Sequence, residues 1–200
     1  MRRDLLRNQS LTPDRATPDR AELWPLERGV IFLNHGSFGA CPAEVLRHQA
    51  ALRAEMEAEP VRFLSRELDD RLDAARRALA AFVGADPDDL AFVANATSGV
   101  NAVLRSLAFE HGDELLTTDH AYNACKNTLD FVAGRAGARV VVARVPFPVA
   151  SPADVVDAVM ARVTPRTRLA LLDHVTSPTA LVLPIERLIA DLAGRGVEVM

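Results

Sequence analysis

Apolar residues recur along this chain in two rhythms, and the changes of rhythm mark its elements. Leu68, Leu72, Ala75, Leu79 and Phe82 follow one another at intervals of four, three, four and three, the spacing of one buried helical face, with Gly84 placed to stop the helix. Val45, Leu52 and Met56 share a face of an earlier helix that follows Pro42 and is interrupted at Pro60. From Leu90 onward, strand-sized apolar runs alternate with helical periods. The pattern predicts strands over 90–94, 114–118, 139–145, 168–175 and 197–200. Between them it predicts a helix over 99–109, a second through Tyr122, Cys125, Leu129 and Val132 to a stop near Gly134, and a third opened by Ser151-Pro152 with Asp154 in its first turn. A fourth runs over Ile185, Leu188, Ile189 and Leu192 to Gly194. Such alternation implies right-handed crossovers and an α/β fold, a mainly parallel sheet with helices on both faces. Upstream, Ile31–Leu33 reads as a short strand breaking into the turn Asn34-His35-Gly36-Ser37-Phe38-Gly39, and the proline-bearing segment Met1–Glu27 reads as an arm with Trp24 as its anchor.

Composition narrows the function. With 200 residues, 49% of them hydrophobic, the chain can bury a sizeable core. A net charge of −4 with both signs interspersed argues against nucleic acid or an anionic membrane as the partner and favours a small substrate. Cys41 and Cys125 match no metal-ligand spacing and no disulfide framework, so no metal site and a reducing cytoplasm are expected. The longest apolar runs are strand-sized, with no signal peptide and no spanning segment. Lys126 is the single lysine.

Ligands of open α/β sheets sit outside the carboxyl ends of the strands, and three polar segments fall at such ends: 95–99, 119–123 and 173–179. They are expected to converge. In the first, Asn95-Ala96-Thr97-Ser98-Gly99 opens a helix with unpaired N–H groups and hydroxyls, which suits either a phosphate or an ordinary cap made by Thr97 or Ser98. It matches neither the dinucleotide glycine fingerprint nor the phosphate loop that ends in Gly-Lys-Ser/Thr. In the second, Tyr122, the only tyrosine, either lies on a flat heterocycle or caps the core face of its own helix; His120 is either a satisfied turn histidine or a base. In the third, Asp173, His174, Thr176, Ser177 and Thr179 form either a self-satisfied turn or a hydrogen-bonding wall beside a polar ligand. A Ser-His-Asp triad fails because no Gly-x-Ser-x-Gly elbow is present.

Four motifs in order, Phe32-Leu33-Asn34-His35-Gly36-Ser37-Phe38-Gly39, Asn95-Ala96-Thr97-Ser98-Gly99-Val100-Asn101, Thr118-Asp119-His120-Ala121-Tyr122 and Asp173-His174-Val175-Thr176-Ser177-Pro178-Thr179, resemble the class V aminotransferase family of pyridoxal-phosphate enzymes, and in particular its isopenicillin N epimerase-like members. The resemblance runs from about Ile31 to Met200. It implies an aspartate-aminotransferase-like, type I large domain, with a homodimer when full length. It also implies that Ala96, Thr97 and Ser98 belong to the cofactor's phosphate cup, that Tyr122 stacks on the pyridine ring, and that Ser177 lies near the ring hydroxyl and the substrate. Asn34, His35 and Ser37 would stand at the substrate entrance. The family's ring-nitrogen aspartate and Schiff-base lysine fall past Met200, and Lys126 matches neither, so the chain is expected to be the N-terminal part of a longer enzyme and inactive alone. No catalytic residue is assigned within it.

The resulting expectation is an arm over 1–30, an entrance turn and helix over 31–66, and the first, incomplete part of the cofactor-binding domain over 67–200. The activity implied is carbanion chemistry at the α-carbon of an amino acid or derived amine: epimerisation, C–S cleavage or desulfuration, or transamination. A truncated module without catalysis is the alternative of another class. Cys41 and Cys125 read as small core or turn residues rather than as a desulfurase nucleophile.

Overall fold

The computed structural model describes residues 20–27 and 29–200, so the expected arm lies outside the described residues over 1–19 and at 28. The chain forms two compact units, the first ending at Leu90 and the second beginning at Ala91.

In the first unit Trp24 is half-buried beside another ring. Its ring lies 5.5 Å from that of His35, and the Phe32 and His35 rings meet edge-on at 4.8 Å. The expected strand at Ile31–Leu33 does not form: those residues pair with no neighbour, and Leu33 is 86% exposed. The turn beyond it is real. Ser37 N–H donates to Asn34 O at 3.4 Å, and Gly39 is obligatory because a Cβ there would stand 2.2 Å from the carbonyl oxygen of His35.

Helix α1 (Ala43–Ala58) ends at Glu59, whose extended backbone breaks the chain direction just ahead of Pro60. Pro60 then starts a new helix, since a proline at the first helical position gives up an N–H that has no partner there anyway. Helix α2 (Pro60–Arg62) continues through a π-helical segment, Phe63–Glu67, into α3 (Leu68–Val83), so the helical run passes the expected 66/67 division without a break. Gly84 caps α3 as expected. The periodic face of α3 is amphipathic but not buried: Leu72 and Leu79 are exposed and Phe82 is 87% exposed, and α1 buries no residue either. Periodicity identifies a face suited to burial; burial itself needs a partner surface.

The second unit is the expected α/β layer. Strands β1 (Glu114–Thr118), β2 (Arg139–Ala143), β3 (Thr167–Ala170) and β4 (Glu198–Val199) form a wholly parallel sheet in the order β2-β1-β3-β4. Helices α4 (Ala96–Ser106) and α5 (Asn123–Ala136) cover one face, and α6 (Pro152–Met160) and α7 (Ile185–Ala193) the other. Two cores result from the strand period of two. Leu115, Leu169 and Leu171 join Leu104, Leu129 and Val132 on the α4–α5 side, whereas Leu116, Ala170 and Leu172 join Val156, Leu188 and Leu192 on the α6–α7 side.

Boundaries moved for identifiable reasons. Leu90–Ala94 is extended but unpaired among the described residues, with Phe92 and Val93 half-exposed, so it is a lead-in rather than a strand. Helix α4 starts at Ala96, not Gly99, because Asn95 caps it. The stop of α5 is Gly137 rather than Gly134: Gly137 takes φ +69, and Gly134 lies within the helix. Past Ala143 the β2 backbone turns to a side chain, Val145 N–H donating to Asp119 Oδ1 at 2.9 Å. Past Ala170, Leu171 and Leu172 still donate to Leu116 O and Met200 O before the chain leaves the sheet at Asp173. The Ser151–Asp154 capping box opens α6 as expected.

Candidate cofactor site

The start of α4 is built by its cap. Asn95 Oδ1 accepts from Ser98 N–H at 2.9 Å, so the capping role expected of Thr97 or Ser98 belongs to Asn95. The N–H groups of Ala96 and Thr97, in the first turn, have no acceptor within the helix, and among the described residues the Thr97 and Ser98 hydroxyls make no hydrogen bond. No acidic residue lies in this first turn. By contrast α6 closes its own start with Asp154. The donor set at α4, two main-chain N–H groups and two hydroxyls at the positive end of a helix dipole, fits a phosphate dianion.

At the carboxyl end of β1 the chain turns through Asp119 and His120 to Tyr122, the N-cap residue of α5. Tyr122 is 47% exposed while Cys125 and Leu129 of the same series are buried, so its ring does not cap the core. Its N–H donates to Asp173 Oδ2 at 2.9 Å, which ties the exit of β1 to the exit of β3. Partial burial pushes the Asp173 carboxyl above its usual range, against the lowering effect of the Tyr122 N–H. Burial, helped by the nearby Asp173 carboxylate, likewise pushes the Cys125 thiol up, which leaves it a poor nucleophile; Cys41 lies exposed in the first unit.

His120 is the satisfied turn histidine rather than a base. It is buried, with Nε2 3.2 Å from Val145 O and Nδ1 2.8 Å from Thr179 Oγ1. The Val145 carbonyl can only accept, which places the ring hydrogen on Nε2. Thr179 Oγ1 lies 2.8 Å from Thr176 Oγ1, which accepts from Leu181 N–H at 2.9 Å. These bonds hold the 176–181 turn against the β1 exit and leave Ser177 exposed within it.

Two of the three polar segments therefore meet directly. The third, 95–99, joins through helix packing: Asn101 Nδ2 donates to Thr97 O at 3.0 Å and to Thr128 Oγ1 of α5 at 2.9 Å. Sequence reasoning passed over Asp173 as a cross-element anchor and Asn101 as the inter-helix link; both lay within quoted motifs, but their partners are 51 and 27 residues away. Asn34, His35 and Ser37 sit in the first unit, where the exposed His35 ring lies near those of Trp24 and Phe32. Lys126 is on α5, its Nζ 2.8 Å from Asp130. At the amino ends of the strands a cavity of about 350 Å³ lined in part by Glu114, Arg139, Arg162 and Thr164 has its carboxylate already consumed. Burial alone would raise the Glu114 carboxyl, but the Thr164 hydroxyl and the Arg139 guanidinium, with Arg166 behind them, hold it below the usual range. Among the described residues no cluster of metal-ligating side chains exists, and no helix is long and apolar enough to cross a membrane.

Residues 32–200 match the family described as aminotransferase class-V. The chain belongs to that family. The isopenicillin N epimerase of Streptomyces clavuligerus is 37% identical over 172 residues, which cover 86% of this chain and 43% of that protein. The putative L-cysteine desulfhydrase 1 of Oryza sativa subsp. japonica is 36% identical over 197 residues, covering 90% of this chain and 40% of that one. A solved structure of a C-DES mutant with glycine covalently linked to the PLP cofactor superimposes with a TM-score of 0.78 at 24% identity, over 92% of this chain and 48% of that chain. This class-V chain thus spans less than half the length of each of these proteins, and its fold is the type I arrangement expected from the motifs.

Proposed function

We propose that this class-V chain carries the phosphate cup and ring platform of a pyridoxal-phosphate-dependent enzyme acting on an amino acid or derived amine, with isopenicillin N epimerase-like character. The observation that carries the reading is the start of α4, whose cap is supplied by Asn95 so that two N–H groups and the Thr97 and Ser98 hydroxyls remain available. The family and the PLP-bearing C-DES neighbour support pyridoxal phosphate as the cofactor.

In this reading Ala96, Thr97 and Ser98 hold the phosphate, and the half-exposed Tyr122 ring offers its face to the pyridine. The exposed Ser177 hydroxyl serves the ring hydroxyl or the substrate. The chemistry the group supplies when bound is an electron sink for the pair left as a proton leaves the substrate α-carbon. This chain's residues bind and orient; none of them is assigned to move that proton. A second reading, C–S bond cleavage, is favoured by the desulfhydrase relative, and it requires no thiol nucleophile from Cys125.

The test compares Tyr122→Ala with Tyr122→Phe in the gene product that carries this sequence. Tyr122→Ala should weaken pyridoxal-phosphate binding by about tenfold or more while Tyr122→Phe retains it, because the stacking face and not the hydroxyl is used. Equal affinity in the two variants would refute the stacking role. Racemisation and sulfide release, assayed side by side on amino-acid substrates, separate the two chemistries.

A further inference from the structure

Tyr122 presents a problem of orientation. Its ring is half-exposed, and as N-cap of α5 it makes no side-chain cap of its own; α5 also has no acidic residue in its first turn. What fixes the residue is its main chain: Tyr122 O accepts from Cys125 and Lys126 N–H at 3.0 Å each, and Tyr122 N–H donates to Asp173 Oδ2 at 2.9 Å. Asp173 is well placed to act as an anchor, since Leu171 and Leu172 just before it are held by the sheet through bonds to Leu116 O and Met200 O. The 51-residue separation means that the bond reports tertiary geometry and not local turn chemistry. A carboxylate held at a site where partial burial opposes its charge is a costly way to cap a helix that could have used its own first turn, as α6 does with Asp154.

We propose that Asp173 is a positioning residue, which through the Tyr122 main chain sets the plane that the Tyr122 ring offers to the cofactor. The inference rests on the cofactor reading above. Its test uses Asp173→Ala, Asp173→Asn, Tyr122→Ala and the Tyr122→Ala/Asp173→Ala double variant of the gene product, loaded with pyridoxal phosphate. Two signals are read: the visible circular dichroism of the bound cofactor, which depends on a fixed ring environment, and hydrogen exchange of the Tyr122 amide in the variants that retain it. Asp173→Ala should flatten the dichroism and speed exchange about tenfold or more, the effect of losing one charge-assisted bond. Asp173→Asn should restore both, because its carboxamide oxygen still accepts from Tyr122 N–H. In the Tyr122→Ala background Asp173→Ala should change the dichroism no further. Should Asp173→Ala fail to fold, Asp173→Glu replaces it and must shift the dichroism. An unchanged signal in Asp173→Ala, or an equal loss added on top of Tyr122→Ala, overturns the positioning role alone. Failure of the wild-type protein to bind pyridoxal phosphate overturns the cofactor reading and the ring's role with it.

Discussion

At the start of α4 one polar residue makes the cap and its neighbours' hydroxyls take no part in it. Asn95 caps the helix through its bond to Ser98 N–H, and the Thr97 hydroxyl makes no bond among the described residues. Asn95→Ala should therefore cost about 1 kcal/mol of folding stability, the usual value of a lost N-cap. Thr97→Ala should cost none and gain a few tenths, since alanine is the better helix former and no bond is lost on folding. Cofactor binding should rank them in the opposite order. A hydroxyl donating to a phosphate is worth about 1.5–3 kcal/mol, so Thr97→Ala should weaken pyridoxal phosphate by roughly 10- to 150-fold. Thr97→Ser should retain most of the affinity. Urea unfolding and fluorescence titration with pyridoxal phosphate, run on the same preparations, give both rankings. A Thr97→Ala protein that loses stability as Asn95→Ala does, and binds the cofactor unchanged, would refute the division of labour and leave the junction an ordinary helix start.

Glu114→Gln should lower stability by about 1–3 kcal/mol at pH 7, discounted because the Arg139 and Arg166 side chains are 60% and 62% exposed. The folded carboxyl lies below its ordinary value, so this contribution is present above the ordinary glutamate range and is lost as pH falls through the folded value; a pH-independent deficit in denaturant midpoint would contradict it. Gly39→Ala should destabilise the 35–38 turn, since its Cβ would collide with the His35 carbonyl at 2.2 Å, and the readout is faster backbone exchange confined to residues near that turn. Lys126 is paired with Asp130 on α5, so borohydride reduction in the presence of pyridoxal phosphate should leave it unlabelled by mass spectrometry, and Lys126→Arg should leave cofactor affinity unchanged.

The sheet was legible because its signal is local. β1 was readable to the residue, and alternation within β1 and β3 distributes Leu115 and Leu116 to opposite cores as a period of two requires. The capping box that opens α6 and the stop of α7 at Gly194 were legible for the same reason. What sequence could not supply was partnership. Leu90–Ala94 has strand composition, but a strand exists only where its main-chain groups find a neighbour. The α3 face has helical spacing, yet exposure of Phe82 depends on what packs there. At the site, residue types were readable and their connections were not. His120 carried open readings until Val145 O and Thr179 accounted for both ring nitrogens. Tyr122 looked like the first residue of a buried series, because periodicity cannot tell an N-cap from the first core position.

In the proposed cofactor reading, two helix starts on the same face of the sheet would do what one could not. A phosphate held at α4, as proposed, would leave the attached ring free to swing unless a second element met it, and α4 and α5 pack together through Leu104 and Leu129 over Leu115 and Leu169. An apolar interface of Leu104 and Leu129 alone would tolerate sliding of one helix along the other. The polar link resists it. Asn101 donates both to Thr97 O of its own helix and to Thr128 Oγ1 across the interface, and the buried Thr128 hydroxyl in turn donates to Ala124 O at 3.1 Å. Of these bonds only the one from Asn101 to Thr128 crosses the interface, so it is the bond that a slip of one turn would break, and its loss opposes the slip. The same few bonds begin at the Thr97 main chain and end at Ala124, two residues after Tyr122, so in the proposed reading the spacing between the phosphate donors and the ring platform would be a property of the helix pair rather than of either loop.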